Sequence, residues 1–216
     1  MSLAKLLQLA SPALPVGAYS YSGGLEAAIE DGVVHDAASA ERWIGDVLEF
    51  SVARMEAPIL FRFICFFNQQ NLDEIEKLNE LLLASRETAE LRAETVQMGY
   101  SMNRLLKDLE VGGVPVEEPS FPAAYAHAAS HWKIEPAAAL QAYLWAWIEN
   151  QVMAAVKAIP LGQTDGQRIL LSLGKILPRL VEKAAEMKDQ DLGNFAPGLA
   201  LLSSRHETQY SRLFRS

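Results

Sequence analysis

The sequence has 216 residues with 50% hydrophobic and 21% charged side chains, a composition typical of one folded globular domain. Its formal net charge of −8 argues against a nucleic-acid-binding protein, since such proteins need a basic surface to neutralise phosphates. The only cysteine, Cys65, excludes a disulfide within the chain and favours a reducing, cytoplasmic location.

The first half of the chain predicts helices separated by short loops. A helix over residues 3 to 10 is expected to end at the sequence SPALPVG, because two prolines and a glycine favour a loop. Helix resumes at about Gly24, with Ser22 or Gly23 as its cap. A long helical stretch over residues 39 to 68 contains Pro58, which should kink or break it. An amphipathic helix follows, capped by Asn71 or Asp73.

The second half continues the same pattern. A helix is predicted to run to about residue 109, and others should begin near Phe121 and at Pro136. Thr164 and Gln167 have the spacing of a capping box for a helix that reaches about Met187. Alternating β-branched runs are absent, so we predict an all-α, single-domain bundle of roughly ten helices over residues 1–204, followed by a docking tail, residues 205–216.

The apolar stretch from 137 to 159 is the only candidate for a membrane span. It carries Gln141 and, near its middle, the consecutive polar residues Glu149, Asn150 and Gln151. Placing a carboxylate within the bilayer has a high free-energy cost, so the stretch is interpreted as a helix buried inside the protein. We therefore expect no membrane contact.

Two histidines offer the only metal-like spacing. His127 and His131 are four residues apart and would share one helix face, as in some zinc sites. Ala128 stands where a zinc protease needs a glutamate, and no cysteine or carboxylate completes the set. A metal-dependent helical enzyme using His127 and His131 is kept as an alternative, but no metal or cofactor is predicted.

Catalytic and nucleotide motifs are also missing. The sequence GQTDGQR at 162 to 168 lacks the lysine and spacing of a phosphate-binding loop. The sequence GAYSYSGG places no serine between two suitably spaced glycines, as a hydrolase would require. A binding protein is favoured over an enzyme, and a generic all-α adaptor remains open.

Three polar segments have the composition of interaction surfaces. Residues 14 to 26 surround Tyr19 and Tyr21 with glycines and serines, and Lys157 ends the most apolar helix. The tail interleaves arginines with Tyr210, Leu213 and Phe214, which are residue types that dominate protein interfaces.

Four segments together resemble the urease accessory protein UreF family. They are LLQLASPALPVGAYSYSGGLE near the start, SRETAELR at 85 to 92, AAVKAIPLGQTDGQ at 154 to 167 and SSRHETQYSRLFRS at the end. The resemblance implies a mostly helical homodimer that helps to deliver nickel to urease. It also implies binding to UreD (also called UreH), to the GTPase UreG and to the urease apoprotein, with no GTPase activity of its own.

The family motifs fall on residues in all four segments. They include Leu25, Arg86, Glu87, Pro160, Gly162 and Gln163, and all the partner-binding residues named next except Tyr19, Lys157, Tyr210 and Leu213. The partner-binding residues predicted from the segments and the resemblance are Pro15, Gly17, Tyr19, Ser20, Tyr21, Ser22, Gly24, Glu26, Lys157, Arg205, His206, Glu207, Tyr210, Arg212, Leu213, Phe214 and Arg215.

The tail is expected to become ordered when it docks. Leu213 and Phe214 would then enter apolar pockets, while the arginines pair with carboxylates on the dimer mate or on UreD. Lys157 is expected to stay exposed as a cation that influences UreG.

Overall fold

The computed structural model describes residues 3–216, so the first two residues of the predicted domain lie outside it. Within that range the chain folds into eleven α-helices without a β-strand, which confirms the predicted all-α, single-domain fold of roughly ten helices. The helices are α1 (Leu3–Ala10), α2 (Leu25–Glu30), α3 (Ala37–Val47), α4 (Ala57–Gln69), α5 (Leu72–Ala84), α6 (Ala89–Asp108), α7 (Phe121–His131), α8 (Pro136–Ala158), α9 (Gln163–Gly174), α10 (Leu177–Glu186) and α11 (Pro197–His206). A π-helical segment, Leu48–Glu56, joins α3 to α4.

Local capping explains where several helices begin. The Asn71 side chain accepts a hydrogen bond from the Glu74 amide, and the Ser120 hydroxyl accepts one from the Ala123 amide. The Glu135 carboxylate accepts hydrogen bonds from two amides in the first turn of α8. Pro136 has no N–H, so its position leaves no amide without an acceptor. The predicted starts near Phe121 and at Pro136 are confirmed, as is the cap at Asn71.

The break predicted at Pro58 takes an unexpected form. Pro58 lies in the first turn of α4, and the chain before it is π-helical. In a regular α-helix, residue 58 would donate to the Arg54 carbonyl, and proline has no N–H to give. The Gly193 amide donates to that carbonyl instead, at 3.3 Å, and the Phe195 amide donates to the Phe50 carbonyl at 2.9 Å. A distant loop therefore completes the hydrogen bonding of this segment.

The predicted capping box at Thr164 is wrong. The N-cap of α9 is Gly162, which has no side chain to accept a capping hydrogen bond. The predicted helix to about Met187 is also wrong, because α9 ends at Gly174 and α10 begins at Leu177. Pro178, in the first turn of α10, cannot donate to the Gly174 carbonyl, so one continuous helix is not formed.

The core is organised around α8. This helix contacts α1, α2, α3, α4, α7, α9 and α10. Leu140, Leu144 and Ile148 are fully buried along it, as expected for a helix inside a protein. No helix formed by residues 3–216 combines the length and the apolarity that a membrane span requires.

Candidate partner-docking surface

The tail lies against the loop of residues 14 to 26, so two segments far apart in sequence form one surface. The Arg215 amide donates to the Ser20 carbonyl, and the Ser22 amide donates to the Ser216 carbonyl, both at 2.9 Å. The Ser22 hydroxyl also donates to the Ser216 carbonyl, and the Gly23 amide donates to the Ser216 hydroxyl at 3.3 Å. We call this combined area the tail–loop surface.

Glu26 is the main anchor of the tail. Its buried carboxylate accepts from the Leu213 amide at 2.6 Å and from the Phe214 amide at 2.9 Å. Hydrogen bonds to an ionised acceptor are stronger than those between neutral groups. Glu26 stands in the first turn of α2, and the Ser22 hydroxyl accepts from its amide at 3.2 Å. The loop thus positions the carboxylate that holds the tail.

Gly24 makes this arrangement possible. It caps α2 with a φ of 81°, a conformation that glycine adopts without steric cost. A Cβ at this position would lie 2.8 Å from Leu199 Cδ1 on α11. The cap is therefore Gly24, and the predicted caps Ser22 and Gly23 are wrong.

His206 connects α11 to two carboxylates. Its ring is fully buried, with Nε2 3.1 Å from Glu26 Oε2 and Nδ1 2.6 Å from Glu90 Oε2. The His206 ring therefore lies between the two carboxylates and links α11 to α2 and α6.

The tail arginines pair within the chain. Arg212 Nη1 lies 2.6 Å from Glu90 Oε1, and Arg205 forms an ion pair with Asp31. Glu207 accepts from the Ala89 amide at 3.0 Å, at the start of α6. In the single chain Arg205 and Arg212 thus pair with carboxylates of the same chain, and pairing of the tail arginines with a partner's carboxylates stays a prediction.

The two predicted anchors of the tail behave differently. Phe214 is buried within this chain, and Lys157 Nζ lies 4.5 Å above its ring, a cation–π distance. Leu213 remains 57% exposed. Lys157 is exposed, as expected, but also contributes to holding the tail.

The predicted site residues divide into two groups by burial. Those that are buried position the surface: Tyr21, Ser22, Gly24, Glu26, His206 and Phe214. Those that are exposed can meet a partner: Pro15, Tyr19, Lys157, Arg205, Glu207, Tyr210, Arg212, Leu213 and Arg215. Gly17 and Ser20 are half-buried between them.

A cavity of about 360 Å³ lies beside this surface. Its walls include Leu14 and Val16 of the loop, and its lining also includes Glu56, Arg86 and Glu94. Sequence reasoning singled out Arg86 through the family resemblance but missed the two glutamates. No motif spacing distinguishes them, because they come from the π-helical segment and α6.

The polar residues of the cavity form a connected cluster. Arg86 is paired with Glu56, and the Tyr143 hydroxyl donates to Glu56 Oε1 at 2.5 Å. The Ser216 hydroxyl donates to Glu94 Oε2 at 2.7 Å, which ties the cluster to the tail. Burial raises the pKa of Glu94 to about 7, although the Ser216 hydrogen bond and Arg86 act to lower it. Burial acts to lower the pKa of Arg86, but Glu56 outweighs it and raises that pKa.

The two histidines proposed as metal ligands do not gain a third ligand. His127 packs against Phe67, with ring centroids 5.1 Å apart. Burial, together with the neighbouring His131, lowers the pKa of His127. Within residues 3–216, no group of three histidine, cysteine, aspartate or glutamate side chains is placed to hold a metal ion.

Comparison with known proteins gives a consistent family match. The model of the UreF family matches residues 34–174. Urease accessory protein UreF of Azoarcus sp. (strain BH72) is 58% identical, with 100% of this chain and 96% of that protein covered. The proteins of the same name from Dechloromonas aromatica (strain RCB) and Methylobacillus flagellatus are 52% and 50% identical, each with 100% of this chain and 98% of the relative covered.

Proposed function

This chain belongs to the UreF family of urease accessory proteins, which are not enzymes, and we propose that it is a dimeric scaffold for nickel delivery to urease. In this proposal it binds UreD (UreH) and the GTPase UreG in the cytoplasm, and the complex acts on the urease apoprotein. Family membership removes the alternative of a generic adaptor unrelated to urease.

The tail–loop surface is the observation that carries the proposal. Buried hydrogen bonds to Glu26 and Ser22 hold the tail, so the exposed residues near them are presented in a fixed geometry. Tyr19 is 76% exposed and Leu213 57% exposed on this surface. Aromatic and arginine side chains held in advance bind with less entropy loss than mobile ones. We assign this surface to UreD.

Lys157 is our candidate for the contact with UreG. It is exposed at the edge of the same surface, where its charge can meet an acidic partner. A scaffold without catalytic groups can act on a GTPase only by binding one of its conformations more tightly. Such differential affinity would couple nucleotide turnover to the release of nickel.

Co-purification tests the assignment of the surface. The chain would be expressed with UreD, UreG and the urease subunits, either intact or without residues 205–216. We expect the truncated chain to lose both the complex and urease activation. Normal assembly and activity of the truncated chain would contradict the assignment.

Point variants separate loss of contact from loss of structure. Tyr19→Ser and Leu213→Ser change exposed side chains, so they should weaken UreD capture without lowering the melting temperature. Leu171→Ser is the matched control, because Leu171 is 70% exposed on α9, away from the tail–loop surface. If Tyr19→Ser and Leu213→Ser capture UreD as well as Leu171→Ser and the unaltered chain do, Tyr19 and Leu213 are not part of the interface.

A further inference from the structure

The cavity beside the tail–loop surface has the properties of a small-molecule site. Its volume of about 360 Å³ lies within the range of about 300 to 1,000 Å³ that such sites occupy. Its walls are mainly apolar and include Leu14, Leu91, Met98 and Trp147. Tyr19 of the tail–loop surface also lines this cavity, but the proposed docking of protein partners leaves the cavity interior without an occupant.

The polar end of the cavity has hydrogen-bonding capacity that the chain does not satisfy. Arg86 is paired with Glu56 through Nη2, but its buried Nε–H has no partner among residues 3–216. Glu94 accepts from Ser216 through Oε2, and its Oε1 accepts no hydrogen bond from the described part of the chain. The buried Arg86 Nε–H is unfavourable without a partner, so a ligand that supplies an acceptor gains affinity.

These two groups need complementary hydrogen-bond partners. Arg86 Nε–H needs an acceptor, and Glu94 Oε1 needs a donor. A carboxylate ligand would satisfy Arg86 but would be repelled by Glu56 and Glu94. An ammonium ligand would satisfy Glu94 but offers no acceptor to the Arg86 Nε–H. A primary carboxamide offers an acceptor oxygen and N–H donors without adding a charge.

We propose that this cavity binds a small, mainly apolar molecule with a primary carboxamide head, whose oxygen accepts from Arg86 and whose nitrogen donates to Glu94. The apolar body occupies the space between the loop, α6 and α8. The head group meets the cluster of Glu56, Arg86 and Glu94, which is connected to the tail through Ser216.

Three probes with one apolar body test the head group. The isolated chain at pH 7.5 would be titrated with 3-phenylpropanamide, 3-phenylpropanoate and 3-phenylpropylammonium, using calorimetry and saturation-transfer NMR. We expect the amide to bind at least tenfold more tightly than either charged analogue. The absence of amide binding, or equal or tighter binding of a charged analogue, would overturn the proposal.

Variants locate the bound amide. Met153→Trp adds bulk at a half-exposed position that lines the cavity, so it should reduce amide affinity at least tenfold. Leu171→Trp makes the same kind of change at an exposed position outside the cavity and should leave affinity unchanged. Unchanged binding to Met153→Trp would place the amide elsewhere and contradict the proposal.

Two further variants test the head contacts. Arg86→Lys keeps a cation beside Glu56 but removes the Nε–H donor, and Glu94→Met removes the acceptor at similar length. Each should reduce amide affinity about tenfold, and either variant that remains folded by circular dichroism suffices for the test. Full affinity in a folded variant would show that the assigned contact is wrong. No urease component is present, so this result is independent of the proposed docking function.

Discussion

Phe214 and Glu26 are 188 positions apart in the chain, yet the Phe214 amide donates to the Glu26 carboxylate at 2.9 Å. The neighbouring Leu213 amide donates to the other oxygen of the same carboxylate. One side chain in the first turn of α2 therefore fixes the direction of the tail. The tail–loop surface depends on this contact more than on any exposed residue.

Glu26→Gln should release the tail. A glutamine keeps one acceptor oxygen but turns an N–H toward a donor, which leaves a tail amide or His206 without a partner. An unsatisfied buried group costs about 1 to 3 kcal/mol. Hydrogen exchange at the Leu213 and Phe214 amides should accelerate at least tenfold, as NMR or mass spectrometry can measure. Glu30→Gln, at an exposed position on the same helix, is the control; equal protection in both variants would contradict this role.

His206→Ala should destabilise the chain because it removes the buried ring that contacts both Glu26 and Glu90. A buried polar group left without its partner costs about 1 to 3 kcal/mol. Urea denaturation measures this loss, and His35→Ala provides an exposed control. The loss caused by His206→Ala should be smaller in a Glu90→Gln background, because that change already weakens the contact between residues 206 and 90. Strictly additive losses would show that the two residues do not interact.

The sequence predicted what local chemistry determines. Caps such as Asn71 and the position of Pro136 depend on neighbours within one helical turn, so their patterns were sufficient. The π-helical segment was missed because the Arg54 carbonyl is satisfied by Gly193, far along the chain. The split between α9 and α10 follows from Pro178, whereas the apolar periodicity runs across it and favours one helix.

The site was predicted as separate segments for the same reason. The tail and the loop each had a recognisable composition, but no pattern indicated that Glu26 accepts from the tail backbone. Burial then assigned opposite roles to adjacent residues: Leu213 is exposed, whereas Phe214 is buried. Glu56 and Glu94 could not be found at all, because only the packing of several helices brings them to one cavity.

Glu94→Gln should change how stability depends on pH. The pKa of Glu94 is about 7 in the folded chain, against an ordinary value of 4.5, because burial disfavours the charged form. The folded chain therefore binds more protons than the unfolded chain between these values, and this contribution to stability is lost as the pH rises from about 4.5 to 7. The variant lacks that loss, so its melting temperature relative to wild type should rise across the same interval.

Melting temperatures from pH 5 to 8.5 measure the effect. Each unit of pKa shift corresponds to about 1.4 kcal/mol, and the partial exposure of Glu94 reduces the expected gain to about 1 to 2 kcal/mol above pH 7. Glu76→Gln, at an exposed position on α5, should run parallel to wild type. A parallel curve for Glu94→Gln as well would exclude this carboxyl as a source of pH dependence.

Gly99→Ala should destabilise the chain although alanine favours helices. Gly99 lies within α6, and a Cβ there would be only 1.9 Å from the Pro119 carbonyl oxygen. Backbone atoms cannot yield cheaply, so we expect a loss of about 2 to 4 kcal/mol in chemical denaturation. Gly45→Ala is the matched control within α3, where the nearest atom is a leucine methyl at 3.4 Å. That variant should gain up to about 1 kcal/mol from helix propensity; a similar gain for Gly99→Ala would contradict the close packing.

Lys157 can act through its charge on UreG or through its contact with Phe214. Three variants separate these roles. Lys157→Gln removes the charge and the cation–π contact together, whereas Phe214→Leu removes the aromatic ring and keeps the lysine. If the charge meets UreG, Lys157→Gln should alter GTP turnover, while Lys157→Arg should preserve it. Phe214→Leu should leave GTP turnover unchanged, provided that hydrogen exchange shows the tail to be still protected. Equal effects of Lys157→Gln and Phe214→Leu would instead show that Lys157 serves only to hold the tail, since either change weakens the same contact.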